Sequence, residues 1–301
     1  MRAVLLMGYG GVDKLELRDV PEPVAGPGEI KVRLAASSVN PIDVKLRSGA
    51  MRQWSPLDLP AILGRDASGE VVAVGAGSGA FQVGAPVLGL VHHAYAEYVV
   101  DKEDAWAERP ASLDPVDAGA LPLVVLTGTQ LIEEAVRPRP GEVVLVTGAL
   151  GSVGRAAVFA ARASGAEVVA GVRRRQKEEA RKLNVDVVAL DDDAELERLP
   201  RVDAIADTIG GQTIQKLLSK VKPGGTIGSV LGEPPGARER GLMVRAQGSH
   251  PDSRRLAALA QSVAAGKLTI PVAKRLPLAQ IREAHTLVEQ GAGGKVVLKI
   301  R

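Results

Sequence analysis

The chain of 301 residues has no cysteine. Disulfides, thiolate metal sites and a cysteine nucleophile are therefore excluded. Aromatic residues are scarce as well: two tryptophans, three tyrosines and two phenylalanines, scattered along the chain. Without stacking platforms, and with its charges interspersed, it lacks the usual means of holding nucleic acid. The mildly basic balance, net charge +3 with a pI near 9.1, does not change that. No run of 18 or more apolar residues occurs, so no membrane-spanning helix is expected. The stretch from Met1 to Gly8 is too short for a secretory signal. The expectation is a cytoplasmic globular protein, long enough for two domains with separate cores.

Glycine, by contrast, is plentiful, and one stretch uses it in order. Val143-Val144-Leu145-Val146-Thr147 reads as a buried strand. It breaks at Gly148, Gly151 and Gly154, with Ala149, Leu150, Ser152 and Val153 between them, and runs into the helix former Arg155–Ala161. Strand, glycine turn and helix together predict a dinucleotide site. Glycines let the main chain approach a pyrophosphate, and the open N–H groups of the first helical turn face that anion. A Walker loop is excluded, because Gly154 is followed by Arg155-Ala156 rather than Lys-Ser/Thr. A glycine-rich turn without a ligand is the alternative.

Arg173, Arg174, Arg175 and Lys177 follow the second strand, Arg173 standing 19 residues after Gly154. An NAD site usually carries an acid at that distance, for the ribose 2′-OH. Arginines there suit a 2′-phosphate instead, which predicts NADPH through Arg173, Arg174 and Lys177. A solvated basic helix start is the alternative.

The texture of the chain changes once. Up to Pro110, many short strands punctuated by glycine and proline suggest an all-β, barrel-like domain. After it come a helical stretch from 117 to 135, then strands and helices in alternation, which implies βαβ units and a parallel sheet. Strands are expected at 143–147, 167–172, 186–190, 202–207 and 225–231, a helix at 253–265 and a last strand at 295–300.

Several short matches, in order over nearly the whole chain, resemble the zinc-independent branch of the medium-chain dehydrogenase/reductase family, that of quinone oxidoreductases and zeta-crystallin. They are Asn40-Pro41-Ile42-Asp43, Gly64-Arg65-Asp66-Ala67-Ser68-Gly69, Ala94-Tyr95-Ala96-Glu97-Tyr98, Leu126-Thr127, the glycine turn, Asp207-Thr208-Ile209-Gly210-Gly211 and Gly294-Lys295-Val296-Val297-Leu298. The resemblance implies an α/β protein: a GroES-like β-barrel catalytic domain with an inserted Rossmann domain, a doubly wound parallel sheet. The expected division is 1–122 with 267–301 for the barrel and 123–266 for the insert, with a homodimer as the assembly.

Zinc-dependent relatives place a cysteine where Asn40 stands and Gly-His-Glu where Gly64-Arg65-Asp66 stands, so no metal is expected. His92 and His93 are adjacent, and from a strand they could not both face one ion. The resemblance implies a nicotinamide and substrate site at Asn40, Thr127, Thr208, Leu231, Gly232 and Lys295, beside the turn residues Gly148, Leu150, Gly151, Ser152, Val153 and Gly154. Asn40 also reads as a helix cap, Thr127 as a helix threonine bonded one turn back, and Lys295 as a surface or structural lysine. Lys45 stands where many quinone reductases of this branch carry a tyrosine, and offers either a carbonyl-polarising cation or an exposed helix lysine. Asn40 and Lys45 are thus the catalytic candidates. The implied function is zinc-free, NADPH-dependent hydride transfer to a quinone or an α,β-unsaturated carbonyl. A zinc-free alcohol or aldehyde reductase and a non-catalytic NADPH-binding redox sensor stand as the alternatives.

Overall fold

A computed structural model describes residues 1–301. The chain forms two compact units, Met1–Leu123 with Pro251–Arg301, and Val124–His250.

The first unit opens with β1 (Arg2–Leu6), β2 (Leu15–Asp19) and β3 (Glu29–Val39). Asn40 is the N-cap of α1 (Pro41–Ser48), which stops at Gly49 in the left-handed conformation. Then come β4 (Ala61–Ile62), β5 (Asp66–Val74), β6 (Pro86–Leu90), β7 (Tyr98–Lys102) and β8 (Trp106–Glu108). The helix expected from 117 to 135 is three pieces: α2 (Pro115–Ala118), α3 (Pro122–Gln130) and a π-helical turn, Leu131–Val136. The break falls between Gly119 and Pro122, two residues that punctuate helices.

The second unit follows as β9 (Val143–Thr147), α4 (Ser152–Ala163), β10 (Glu167–Val172), α5 (Lys177–Arg181), β11 (Asp186–Ala189), α6 (Asp193–Arg198), β12 (Val202–Asp207), α7 (Gly211–Leu217), β13 (Val221–Ser229) and β14 (Met243–Ala246). All pairings are parallel, in the order β11-β10-β9-β12-β13-β14. With β9 counted as the first strand this is 3-2-1-4-5-6, the doubly wound dinucleotide-binding order. The strands are aliphatic runs buried on both faces, as Val144, Leu145 and Val146 are at the centre. The sixth strand, β14, was not expected: four residues at a sheet edge, with Met243 half exposed, carry little hydrophobic pattern.

The chain then returns to the first unit through α8 (Ser253–Ala264), β15 (Val272–Pro277), α9 (Ile281–Glu289) and β16 (Lys295–Lys299). Helix α8 packs against β8, so the second junction falls at 250/251 and not at the expected 266/267. The first unit holds a three-stranded sheet, β2-β1-β4, and a larger one, β15-β16-β3-β5-β6-β8, with β7 also on β3. Strand β3 alternates charged and buried apolar residues along Glu29–Leu34, and is fully buried at Ser37–Val39, between β16 and β5. That junction positions the charged site.

Candidate active site

The carboxyl edge of the parallel sheet is built largely from main chain. Gly148 has φ +64, and a Cβ there would stand 2.7 Å from Thr208 Oγ1. A Cβ on Gly154 would meet the Gly148 carbonyl oxygen at 2.1 Å. Two glycines are therefore required for the turn to fold back on α4. Gly151 is the N-cap of α4, and no side chain caps it, so the amides of Ser152, Val153 and Gly154 are left open at a helix start. Arg155 turns away, onto the Leu150 carbonyl and Glu179. This cradle fits the pyrophosphate of a dinucleotide.

Asp207, fully buried at the end of β12, ties the neighbouring strand ends together. Its carboxylate accepts from Thr147 Oγ1 at 2.9 Å, Ser229 Oγ at 3.0 Å and the amides of Ile209 and Gly210. Thr208 donates its hydroxyl to the Thr147 carbonyl at 2.6 Å and its amide to Thr147 Oγ1. Thr208 thus braces the edge. A cavity of about 440 Å³ opens beside it, lined by Gly210, Ser229, Leu231, Gly232 and Pro235 among others.

Of the basic residues after β10, two are already engaged. Arg174 pairs with Asp192, and Lys177 with Glu195 at 2.6 Å. Those hydrogen bonds hold both carboxyls below the usual carboxylate range. Arg173 is exposed and makes no ion pair, its backbone amide donating to Gln176 Oε1.

In the first unit, the ends of β16, β3 and β5 lie side by side, and each contributes a buried polar residue. Ser38 pairs with Asp66 across β3 and β5, and Val296 pairs with Val39 across β16 and β3. Lys295 Nζ donates to Asn40 Oδ1, and to Asp66 Oδ2 at 3.0 Å. Asn40 Nδ2 and Ser38 Oγ donate to the same carboxylate oxygen, at 2.8 Å and 2.5 Å. Asp66 Oδ1 accepts from the Leu123 amide, in the first turn of α3, at 2.6 Å. Asp66 and Asn40 are sealed from solvent and Lys295 is 4% exposed.

This corrects two readings of the sequence. Lys295 is not a surface lysine: it is one half of a buried ion pair. Asn40 occupies the cap position, but its side chain bridges Lys295 and Asp66 instead of capping α1. Asp66 and Ser38 were missed as site residues. Only the Gly-Arg-Asp motif pointed to the first, and nothing in the sequence pairs the second with it.

Lys45 is half-buried on α1. Thr127 is nearly buried on α3. His92 and His93 lie in a bend and not on a strand. His93 has φ +61, and its Nδ1 is 2.9 Å from the Ile62 carbonyl oxygen.

A doubly wound sheet with a glycine turn at its first strand, carried in one chain with a largely antiparallel β unit, defines a dinucleotide-binding protein of the dehydrogenase class. Residues 26–111 match the family described as alcohol dehydrogenase GroES-like domain, and residues 183–298 the family described as zinc-binding dehydrogenase. A mouse protein, NAD(P)H oxidoreductase RTN4IP1, mitochondrial, is 30% identical over 325 residues, covering 91% of this chain and 82% of its own. The spinach quinone-oxidoreductase homolog, chloroplastic, is 33% identical over 198 residues, 62% of this chain; the match spans 60% of the length of that relative. The solved quinone oxidoreductase from Coxiella burnetii superposes with a TM-score of 0.90 at 27% identity, covering 100% and 99% of the two chains. The chain belongs to the medium-chain dehydrogenase/reductase family, and within it to the quinone-oxidoreductase type. Members of that family bind a nicotinamide cofactor. No helix of the chain is long and apolar enough to cross a membrane.

Proposed function

We propose that this chain is a zinc-free, NADPH-dependent oxidoreductase that transfers hydride to a quinone or an α,β-unsaturated carbonyl. The observation that carries the reading is the buried Lys295–Asp66–Asn40 cluster, an ammonium fixed by a carboxylate and an amide where the family's zinc enzymes carry metal ligands. Zinc does not suit the donor set: Asn40 Oδ1 and Asp66 Oδ2 are already taken by an ammonium, and a metal ion beside it would bring two positive centres together.

The nicotinamide supplies the hydride when bound. The α4 amides hold the pyrophosphate, and Arg173, with Arg174 released from an exposed ion pair, takes the 2′-phosphate. Lys295 then polarises the carbonyl oxygen. After hydride reaches the conjugated carbon, negative charge spreads over an enolate or hydroquinone anion, and one ammonium suffices to stabilise it. A proton from solvent, or from Lys295 with later replacement, completes the reduction. A saturated aldehyde concentrates the charge on one oxygen and gains less without a Lewis acid. Lys295, rather than Lys45, is the catalytic cation in this reading. The assembly is a homodimer, a reading supported by the open edge strand β14 and its exposed Met243, and checked by light scattering.

The test is kcat/KM for an enal, its saturated counterpart and a quinone, each with NADPH and NADH, and metal content measured on the same sample. Much faster reduction of the conjugated acceptors with NADPH is expected. Equal rates for the matched pair, or one tightly bound zinc per chain, favour the alcohol or aldehyde reductase. Binding of NADPH without turnover of any acceptor favours the redox sensor.

A further inference from the structure

Beside the Lys295 cluster lies a second buried group that the reading above leaves unused. Asp43 and Arg47, one turn apart on α1, are both buried. Tyr95, from the segment between β6 and β7, and His285, from α9, are sealed from solvent, and their rings meet edge to face with centroids 5.8 Å apart. Arg47 pairs with Glu289 of α9. Arg47 Nη1 and both ring nitrogens of His285 have no hydrogen-bond partner here, and the Tyr95 hydroxyl interacts with the Asp43 carboxyl. Interior polar groups are normally paired, so this concentration calls for a cause beyond packing.

The two clusters meet at Asn40. Its backbone amide donates to Asp43 Oδ2 at 2.8 Å, while its side chain bridges Asp66 and Lys295. We propose that Asp43 is a positioning residue for Lys295: its ionised carboxylate fixes the Asn40 backbone, and through it the amide that holds the ammonium, so the cluster is competent only while Asp43 is deprotonated. The inference rests on the reading of Lys295 as the carbonyl-polarising cation.

The electrostatics run the same way. Burial lifts the Asp43 carboxyl from 3.8 to about 6; negative Asp66 adds to the rise, and the Asn40 amide, Lys295 and the Tyr95 hydroxyl oppose it. The charged and titratable groups around Asp43 are Arg47 on its own helix, Tyr95, Asp66 at the start of β5, Lys295 at the start of β16, and His285 and Glu289 on α9. His285 stays neutral in the working range, since burial and the Arg47 charge push it down to about 3. Burial and the Asp43 charge push the Tyr95 hydroxyl well up.

The experiment follows kcat for a conjugated carbonyl with NADPH from pH 5 to 8, in the unmodified protein and three variants. The unmodified protein should lose activity below pH 6, about tenfold by pH 5. Asp43→Asn, a neutral acceptor like the protonated carboxyl, should lose that acid limb and run flat at the low level the unmodified protein reaches in acid. Tyr95→Phe removes a group that lowers Asp43, so its limb should move to higher pH. His285→Phe should leave the limb in place. If Asp43→Asn does not fold, Tyr95→Phe carries the test. An unchanged limb in Asp43→Asn, or an unmoved one in Tyr95→Phe, overturns the proposal. A readout without turnover separates this from failure of the functional reading: the ¹⁵N resonance of the Lys295 ammonium should titrate with the Asp43 midpoint and cease to do so in Asp43→Asn. A Lys295 signal indifferent to pH in that range overturns the proposal whatever the substrate proves to be.

Discussion

The glycine turn after β9 and the cluster at Lys295 are built on opposite plans. The turn is main chain: three glycines, open amides and one buried carboxylate that binds strand ends. Everything it needs lies within a dozen consecutive residues, apart from the Asp207 brace. The cluster is side chain: Ser38, Asn40, Asp66 and Lys295 come from three strand ends more than 250 residues apart at the extremes. An anion can be held by N–H groups that any sequence carries, so selection there acts on shape and leaves a local signature. A polarised carbonyl needs a fixed cation, which only a side chain supplies, and only the fold says where it stands. The contrast predicts that the two sites fail separately.

The largest effect should come from Lys295→Met. Removing a preorganised cation should lower kcat/KM by about 10²–10³-fold. It also strands Asp66 as a buried, unpaired carboxylate, at a cost of about 3–5 kcal/mol in stability. Lys295→Met combined with Asp66→Asn should recover much of the melting temperature and none of the activity. NADPH affinity, measured by fluorescence, should stay within a few-fold in both. A single variant that keeps half its activity ends the assignment of Lys295 as the polarising group.

The converse lesion is Gly154→Val. Its Cβ would stand 2.1 Å from the Gly148 carbonyl oxygen and 2.8 Å from Ala149 Cα, and neither backbone atom can give way without moving the turn. NADPH affinity should fall about 100-fold, with about 1–3 kcal/mol lost in stability from overpacking. The pH profile set by Asp43 should survive in whatever turnover remains. Binding at unmodified strength would show that the turn does not carry the pyrophosphate.

The same contrast explains what could be read in advance. The turn, the five aliphatic strands and the alternation of strands and helices announced the parallel sheet, because each signal is periodic and local. The edge strand β14 did not announce itself in four residues. Helix α9 carries a readable signal: positions 281, 284, 285 and 288 recur at helical spacing, and Ile281, Ala284 and His285 are buried. At the charged site, Asn40 read as a cap because Asn-Pro opens a helix, and it does occupy that position. Its second role depends on β16 lying beside β3, a register that no local pattern encodes. For the same reason Lys295 could be placed at the site only through the family resemblance, with a surface or structural role as the alternative, since lysine is buried only when a partner waits for it.

Arg173→Ala sharpens the comparison within the nucleotide unit itself. Arg174 and Lys177 already face Asp192 and Glu195, while Arg173 and Arg175 are exposed and make no ion pair, and Arg173 comes first after the strand. A charge-assisted bond is worth about 1.5–3 kcal/mol, and exposure to solvent puts this one at the low end. KM for NADPH should rise about tenfold, kcat should hardly move, and KM for NADH should stay put. Equal KM for the two cofactors in the unmodified protein would remove the case for a 2′-phosphate contact.

The smallest effect is one of stability, and it divides the buried groups of the first unit. The folded chain holds His285 at about 3 against 6.5, so between those values the unfolded chain binds more protons and acidification destabilises. Asp43 works in the opposite sense: its folded value of about 6 exceeds 3.8, so between them the folded chain binds more protons and acidification stabilises. From pH 6 down to 4 the two contributions largely cancel, each near 1.4 kcal/mol per pH unit at most. His285→Phe, which replaces two unpartnered nitrogens with an apolar ring, removes the first and leaves the second. Relative to the unmodified protein, its unfolding free energy should therefore rise by about 1 kcal/mol per unit as pH falls from 6.5 to 5.5. Asp43→Asn should show the reverse, losing stability relative to the unmodified protein below pH 6, and the double variant should track neither. Urea unfolding at pH 7 and pH 5 measures all four chains. Parallel pH dependence in His285→Phe and the unmodified protein would mean that His285 takes up its proton without unfolding, through an opening of the pocket it shares with Tyr95.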